Sequence, residues 1–365
     1  MTPLRASRRG AVRQVLFLPD WHDNPYQHLL ASGLSTLGVA VRLGGGGLAF
    51  LATALRHGRP DVVHFHTPEH YVVYRRSLPA AVIALAAYVS QVVVLRLLGV
   101  AVVWTAHDLL NHERRRPGLD ALCRRATVRL ANAVIVHCRV AGARVGATFG
   151  PRPSRVHVVP HGHYLNRYPE FPGDAAAARV AAALPADGPI VLFLGNLRRH
   201  KGVERLLDDF GRIGRPDTWL VVAGQPFDAG IRDEITRRAA GRADVLLRLG
   251  FVPDAAVGMY LRAADLVVCP FTHSLTSGSL TLALSFGKAV VVPRLGCAPE
   301  MVPDGGGFLY DPAAPDGLVT ALQSAIDARG RLAAMGTLNR EHVRRHDWAT
   351  IARRTLEVYD GAATG

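Results

Sequence analysis

The chain has 365 residues, 49% hydrophobic and 20% charged, with a formal net charge of +14. Such a length exceeds what one hydrophobic core usually serves, and the composition excludes a disordered chain, so two folded domains are expected. The charge is one-sided: residues 1–170 hold 21 arginines against 8 acidic residues, whereas 171–365 hold 22 basic against 21 acidic.

A positive field confined to one half points to an anionic membrane surface or acceptor, with a merely solvated basic surface as the alternative. Nucleic acid is disfavoured, because no zinc-finger spacing or RNA-recognition signature accompanies the scattered arginines. The four cysteines are far apart with no Cys-x-x-Cys pair and read as reduced structural thiols. Residues 1–13 are basic but run into a short strand rather than a signal-peptide core, so a cytoplasmic location is expected.

In chain order, apolar strand-like runs fall at 14–19, 38–43, 61–66, 100–105, 133–137 and 156–160, with helical stretches between most of them. Alternation of buried strands with helices predicts a parallel sheet covered on both faces. The stretch 78–98 is almost wholly apolar, broken by Ser90, Gln91 and Arg96. It is long enough to approach a spanning helix, yet it runs directly into a strand, which favours a buried helix or one lying partly in a bilayer interface. The pattern repeats at 189–195, 218–224, 245–249, 265–270 and 288–293.

The fold class is therefore α/β: two doubly wound, Rossmann-like domains facing a central cleft. The N-terminal domain is expected over 1–165, a linker rich in Pro and Ala over 166–188, and the second domain over 189–339. A helix within 340–365 is expected to return across the domain junction. In such sheets ligands bind beyond the carboxyl ends of the strands, so residues just after each strand are the candidates.

Two loops of the second domain read as anion sites. Gly195-Asn196-Leu197-Arg198-Arg199-His200-Lys201-Gly202 follows a buried strand and precedes a helix, with Lys201 one of only two lysines in the chain. A cation beside free helix N-terminal amides favours a phosphate. The loop 271–279 ends in Ser277-Gly278-Ser279 before another helix, where small residues let backbone N–H groups approach a phosphate; its plainer reading is a loop with an N-cap serine.

In the first domain His107 follows the strand 100–105. His64 and His66 alternate along theirs, without the Cys or carboxylate that would complete a metal set. After the first strand, Asp20, Asn24 and Tyr26 offer polar and aromatic groups suited to sugar hydroxyls and ring faces, with an ordinary surface loop as the alternative. Gly44 to Gly47 reads as a flexible connection.

Together these fragments resemble the GT-B fold glycosyltransferases of family 4 over nearly the whole chain. The likeness rests on Asp61-Val62-Val63-His64-Phe65-His66, Trp104-Thr105-Ala106-His107-Asp108 and Val158-Val159-Pro160-His161-Gly162 in the first half. In the second it rests on the Lys201 loop, Gly250-Phe251-Val252-Pro253-Asp254, the run 263–270 and Gly287-Lys288-Ala289-Val290.

The resemblance implies transfer of a sugar from a UDP- or GDP-sugar, bound mainly by the second domain, to a lipid-linked or polysaccharide acceptor held by the first. It also implies retention of anomeric configuration and work at the cytoplasmic membrane face. Lys201 would neutralise the leaving diphosphate, helped by the amides around Ser277, Gly278 and Ser279. Phe251 and Val252 would hold the base, and His107 would orient the donor sugar. Charge stabilisation of this kind needs no metal or cofactor in principle.

Two departures stand out. Asn196 occupies the place of a family arginine, for which Arg198 or Arg199 would substitute. Ser274 and Leu282 occupy the places of two family glutamates, leaving Glu300, in a different motif position, as the nearby carboxylate. A nucleotide-sugar epimerase or hydrolase on the same architecture, or a non-catalytic nucleotide-sugar binder, stays open as an alternative.

Overall fold

A computed structural model describes residues 11–21, 25–56, 58–111, 113–150 and 155–364. The chain divides into two units, Met1–Gly162 with Trp348–Gly365, and His163–Asp347.

In the first unit β1 (Gln14–Leu18), β2 (Ala40–Leu43), β3 (Val62–Phe65), β4 (Ala101–Thr105), β5 (Ala133–Val136) and β6 (Val156–Val158) form one parallel sheet. Their order is β2-β1-β3-β4-β5-β6. The central strands β3, β4 and β5 are buried at every residue, which requires cover on both faces and explains why they are apolar but for His64 and Thr105, which bond each other at 2.7 Å.

The Leu78–Leu97 helix starts on Ser77, whose hydroxyl accepts from the Ala80 N–H, with a proline in its first turn. Its inner face, with Ala81, Ala84, Tyr88, Val92 and Leu95, is buried. Tyr88 is anchored by a 2.8 Å hydrogen bond to Thr127 Oγ1 on the neighbouring Pro117–Leu130 helix. Its outer face is exposed, so only half of this helix behaves as a buried one.

The second unit repeats the plan with β7 (Ile190–Leu194), β8 (Trp219–Gly224), β9 (Val245–Leu249), β10 (Leu266–Val268), β11 (Ala289–Pro293) and β12 (Gly307–Tyr310). All pair in parallel, in the order β12-β11-β10-β7-β8-β9. Alternate residues of β7 feed two separate cores, Val191 and Phe193 on one face and Ile190, Leu192 and Leu194 on the other. Cys123 and Cys269 are buried free thiols.

Two segments bear on the domain boundaries expected from the sequence. The stretch expected as a linker contains the Ala175–Ala181 helix, capped by Asp174, which packs on the Asp254–Ala263 helix of the second unit. Ala178, Ala182 and Leu184 lie in that unit's core, and the buried Arg179 pairs with Asp265 at 2.7 Å. The expected terminal segment 340–365 is divided between units. The Leu332–Arg344 helix packs on Gly278–Ser285 in the second unit, whereas Trp348–Thr364 packs on Pro25–Thr36 and β4 in the first.

The Trp348–Thr364 helix buries Ile351, Ala352 and Tyr359 beside Val15, Leu30 and Val103. The Tyr359 hydroxyl meets His64 Nδ1 at 2.6 Å inside this core. Tyr359→Phe, which leaves a buried imidazole nitrogen without that partner, should lower unfolding free energy by about 1–2 kcal/mol. Urea denaturation checks it; a midpoint equal to wild type would show the bond to be stability-neutral.

Candidate functional site

Because the first sheet is parallel, the loops after β3, β4, β5 and β6 leave by one edge. His66, His107, His137 and His161 come from these loops. His66 Nδ1 meets His107 Nε2 at 3.3 Å, His107 Nδ1 meets His137 Nε2 at 3.3 Å, and His137 Nδ1 bonds the Val159 carbonyl at 2.9 Å.

The file has a direction. A carbonyl only accepts, so His137 carries its proton on Nδ1 and offers Nε2 as an acceptor to His107 Nδ1–H. With neutral rings, His107 Nε2 then accepts from His66 Nδ1–H, and His66 Nε2 is left as a buried lone pair without a partner. An added proton on His107 is accommodated if His66 changes tautomer, since both neighbours can present an acceptor to it.

Burial pushes His64 and His66 well below the ordinary imidazole range, with neighbouring imidazoles adding to the effect. Burial also lowers His137 to about 4, against a small opposite pull from the Val159 carbonyl. Among the described residues no three His, Cys, Asp or Glu side chains converge as a metal set.

Tyr26 corrects an expectation. It is 2% exposed, in the Pro25–Thr36 helix, with its ring against His66, His107, His137 and His161 at centroid distances of 5.0 to 5.8 Å. It packs the imidazole file instead of presenting a ring face to an acceptor. Asp20 is half-buried where the chain turns after β1, its N–H donating to the Gly44 carbonyl at 2.7 Å. Asn24 lies outside the described residues. Gln27 accepts from the Trp21 N–H at 2.9 Å and donates to the Pro19 carbonyl at 2.8 Å.

In the second unit the two candidate anion loops are bonded to each other. The Thr272 N–H donates to the His200 carbonyl at 2.9 Å, and Lys201 Nζ lies 4.7 Å from the centre of the Phe271 ring. Gly202, at φ +70°, makes this approach possible, since a Cβ there would stand 2.1 Å from the Pro270 carbonyl oxygen. At Gly195 a Cβ would be 3.0 Å from Ser279 Oγ, so the start of the Lys201 loop faces the start of the Gly278–Ser285 helix.

Ser277 caps that helix, its hydroxyl accepting from the Leu280 N–H at 3.2 Å. Its hydroxyl role is thus structural, and the amides of Gly278 and Ser279 are the groups suited to an anion. Gly296, at φ +51°, brings a third loop against the second, with the Cys297 N–H donating to the Leu275 carbonyl at 2.8 Å. Glu300 follows within the short Ala298–Met301 helix and is half-buried.

Of the other expected donor residues, Asn196 is exposed and Arg198 lies 4.4 Å over the Phe227 ring. Phe251 is 75% exposed after β9, and Val252 rests on the core beside it. The Ser274 hydroxyl donates to the Thr276 carbonyl at 2.9 Å, and Leu282 packs against the core. Neither of these two positions offers a carboxylate.

His137 is the site residue that sequence reasoning passed over. The available signal was positional, since it follows β5 directly, as His66 follows β3.

Two parallel six-stranded sheets with strand-end loops of this kind define the α/β two-domain GT-B class. Residues 4–162 match the family described as glycosyl transferase 4-like domain, and 188–328 match glycosyl transferases group 1. The chain belongs to this glycosyltransferase family, whose members are enzymes that transfer sugars.

Among relatives, alpha-maltose-1-phosphate synthase of Mycolicibacterium smegmatis is 32% identical over 289 residues, covering 72% of this chain and 73% of the relative. GDP-mannose:glycolipid 4-beta-D-mannosyltransferase of Xanthomonas campestris pv. campestris is 28% identical over 305 residues, covering 82% and 80%. D-inositol 3-phosphate glycosyltransferase of Segniliparus rotundus is 29% identical over 283 residues, covering 73% of this chain but 62% of the relative's length. In fold, sucrose-phosphate synthase from Thermosynechococcus elongatus matches with a TM-score of 0.76 at 18% identity, over 95% of this chain and 98% of that one. Anabaena HepE in complex with UDP-glucose matches at 0.72 and 18%, with the same coverage.

The buried imidazoles make stability acid-sensitive. A histidine whose folded pKa is depressed contributes its stability above the unfolded value of 6.5, and that contribution is lost as pH falls through the folded value, about 4 for His137. From this residue alone about 2 kcal/mol should be gone by pH 5. Calorimetry in buffers of differing ionisation enthalpy should show proton uptake on unfolding between pH 6.5 and 5. Unfolding without uptake there would contradict neutral, buried rings.

Proposed function

We propose that this protein moves a sugar from a UDP- or GDP-sugar to a lipid-linked or polysaccharide acceptor in glycan or exopolysaccharide assembly, as a cytoplasmic enzyme peripheral on the inner face of the plasma membrane. The observation that carries the reading is the joining of the Lys201 loop to the loop 271–279, which sets an ammonium and helix N-terminal amides in one part of the second unit. Two names support a nucleotide-sugar donor: one relative is a GDP-mannose:glycolipid mannosyltransferase, and HepE is solved with UDP-glucose.

Charge accumulates on the diphosphate as its bond to the sugar breaks. Lys201 and the N–H groups of Gly278 and Ser279 offer fixed positive partners to that charge, so we assign no cofactor to the step. Ser277 holds those amides in place by capping their helix. The exposed ring of Phe251, with Val252, suits the flat face of a base, and Asn196, Arg198 and Glu300 lie on loops after β7 and β11 where donor hydroxyls and phosphates would be read. His107 is assigned to the donor sugar, and Asp20 and Asn24 to the acceptor.

Lys201→Ala should lower kcat/KM by about a hundredfold or more, with an unchanged unfolding midpoint in the absence of nucleotide. Equal turnover by the variant would remove Lys201 from the reaction. Independently, UDP or GDP at about 100 times its Kd should stabilise the folded chain by about 2.7 kcal/mol in a thermal-shift series, and the shift should shrink in the variant. A second reading, a nucleotide-sugar binder without turnover, is favoured by Ser274 and Leu282; donor binding with no transfer across a broad acceptor panel would establish it.

A further inference from the structure

The Leu78–Leu97 helix carries a feature that sugar transfer does not use. Its 20 residues make a rod about 30 Å long. Along the outer side Leu78, Val82, Ile83, Val93, Val94 and Leu97 recur at helical spacing, with Ile83 68% and Leu97 81% exposed.

The polar residues interrupting the helix make few demands on water. Ser90 Oγ donates to the Ala86 carbonyl at 2.9 Å. Gln91 donates to the Leu48 and Ala87 carbonyls at 2.6 and 3.1 Å and accepts from the Leu51 N–H at 3.0 Å. The outer face is thus an apolar strip, of a kind that marks an interaction surface.

Arginines stand at both ends of the strip. Before it come Arg75 and Arg76, with Arg116 bonded to the Val73 and Arg75 carbonyls at 2.6 Å. Beyond it Arg59 donates to the Leu98 carbonyl and Arg96 to Asn132, while Arg155 bonds the adjoining Ala131 carbonyl at 3.3 Å. The acceptors are neutral, so these hydrogen bonds hold the guanidinium groups without cancelling their charge. The carboxylates Glu69 and Asp120 are instead buried against Arg124, at 2.9 and 2.7 Å.

We propose that this strip lies in the plane of an anionic lipid bilayer, its apolar side chains among the upper acyl chains and the arginines at its two ends on lipid phosphates. The inference deepens the membrane-facing part of the proposed function by naming the surface that makes the contact. A spanning orientation is opposed by the inner face, which the unit's own core and the Tyr88 and Gln91 bonds hold. A second copy of the chain fits poorly, because parallel or antiparallel pairing of two such strips sets arginine against arginine. A lipid interface satisfies both the apolar middle and the cationic ends.

The test is flotation of the full chain with vesicles of equal parts phosphatidylcholine and phosphatidylglycerol, and with pure phosphatidylcholine vesicles, without donor or acceptor. Wild type should bind the anionic vesicles, less so at high salt, and Ile83→Ser with Leu97→Ser should lower the partition coefficient by about tenfold while leaving the circular dichroism spectrum unchanged. In a separate Ile83→Trp variant, anionic vesicles should blue-shift the emission of the introduced indole and brominated lipid should quench it.

Equal binding by the double serine variant, equal binding to neutral vesicles, or an unshifted emission from the Ile83→Trp variant would overturn the proposal. So would a dimer in sedimentation that the double variant dissolves. Vesicle binding by a chain that transfers no sugar would sink the enzymatic reading alone, and sugar transfer without vesicle binding would sink this one alone.

Discussion

Parallel strand pairing is the constraint on which the candidate sites depend. When every strand of a sheet points the same way, each connection must cross the sheet and re-enter at the opposite edge, and the loops after the strands gather at the other. In the first unit this brings His66, His107, His137 and His161 together from four separate segments. In the second it brings the Lys201 loop, the loop 271–279 and the loop before Glu300 into contact, through backbone approaches that glycine permits at 202 and 296. None of these neighbours is close in sequence.

Much of the fold can be read directly because parallel strands are written as largely apolar runs, and eleven of the twelve strands among the described residues coincide with the strand-like runs of the sequence. The exception, Gly307–Tyr310, has four residues, begins with glycine and pairs only with β11, so neither its length nor its composition distinguishes it from a loop. The stretch 166–188 misleads for a different reason. Proline and alanine there suggest a tether, yet small side chains are what allow Ala178 and Ala182 to sit in a core beside another helix.

The candidate sites are legible to the extent that a residue's role is local. Lys201 and Ser277 announce themselves by position before a helix, and their loops do meet. Tyr26 does not, because nothing in Asn24-Pro25-Tyr26 shows that the helix starting at Pro25 turns the ring inward against imidazoles. The direction of the histidine file is likewise invisible, since it is set by the Val159 carbonyl and by the spatial order of four strands. Ser274 and Leu282 show the converse: their departure from the family pattern is plain in sequence, and the structure adds that one is bonded within its loop and the other packed on the core.

The placement of the Trp348–Thr364 helix in the first unit bears on the order of synthesis. Everything the second unit needs, His163–Asp347, has been translated before the residues that complete the first unit's core are made. The first sheet, begun earliest, must wait on the ribosome with the surface that Ile351 and Tyr359 will cover still open, while the later unit can close around its own strands. The earliest-made half is thus the last to finish, and it is the half that depends most on protection of the nascent chain.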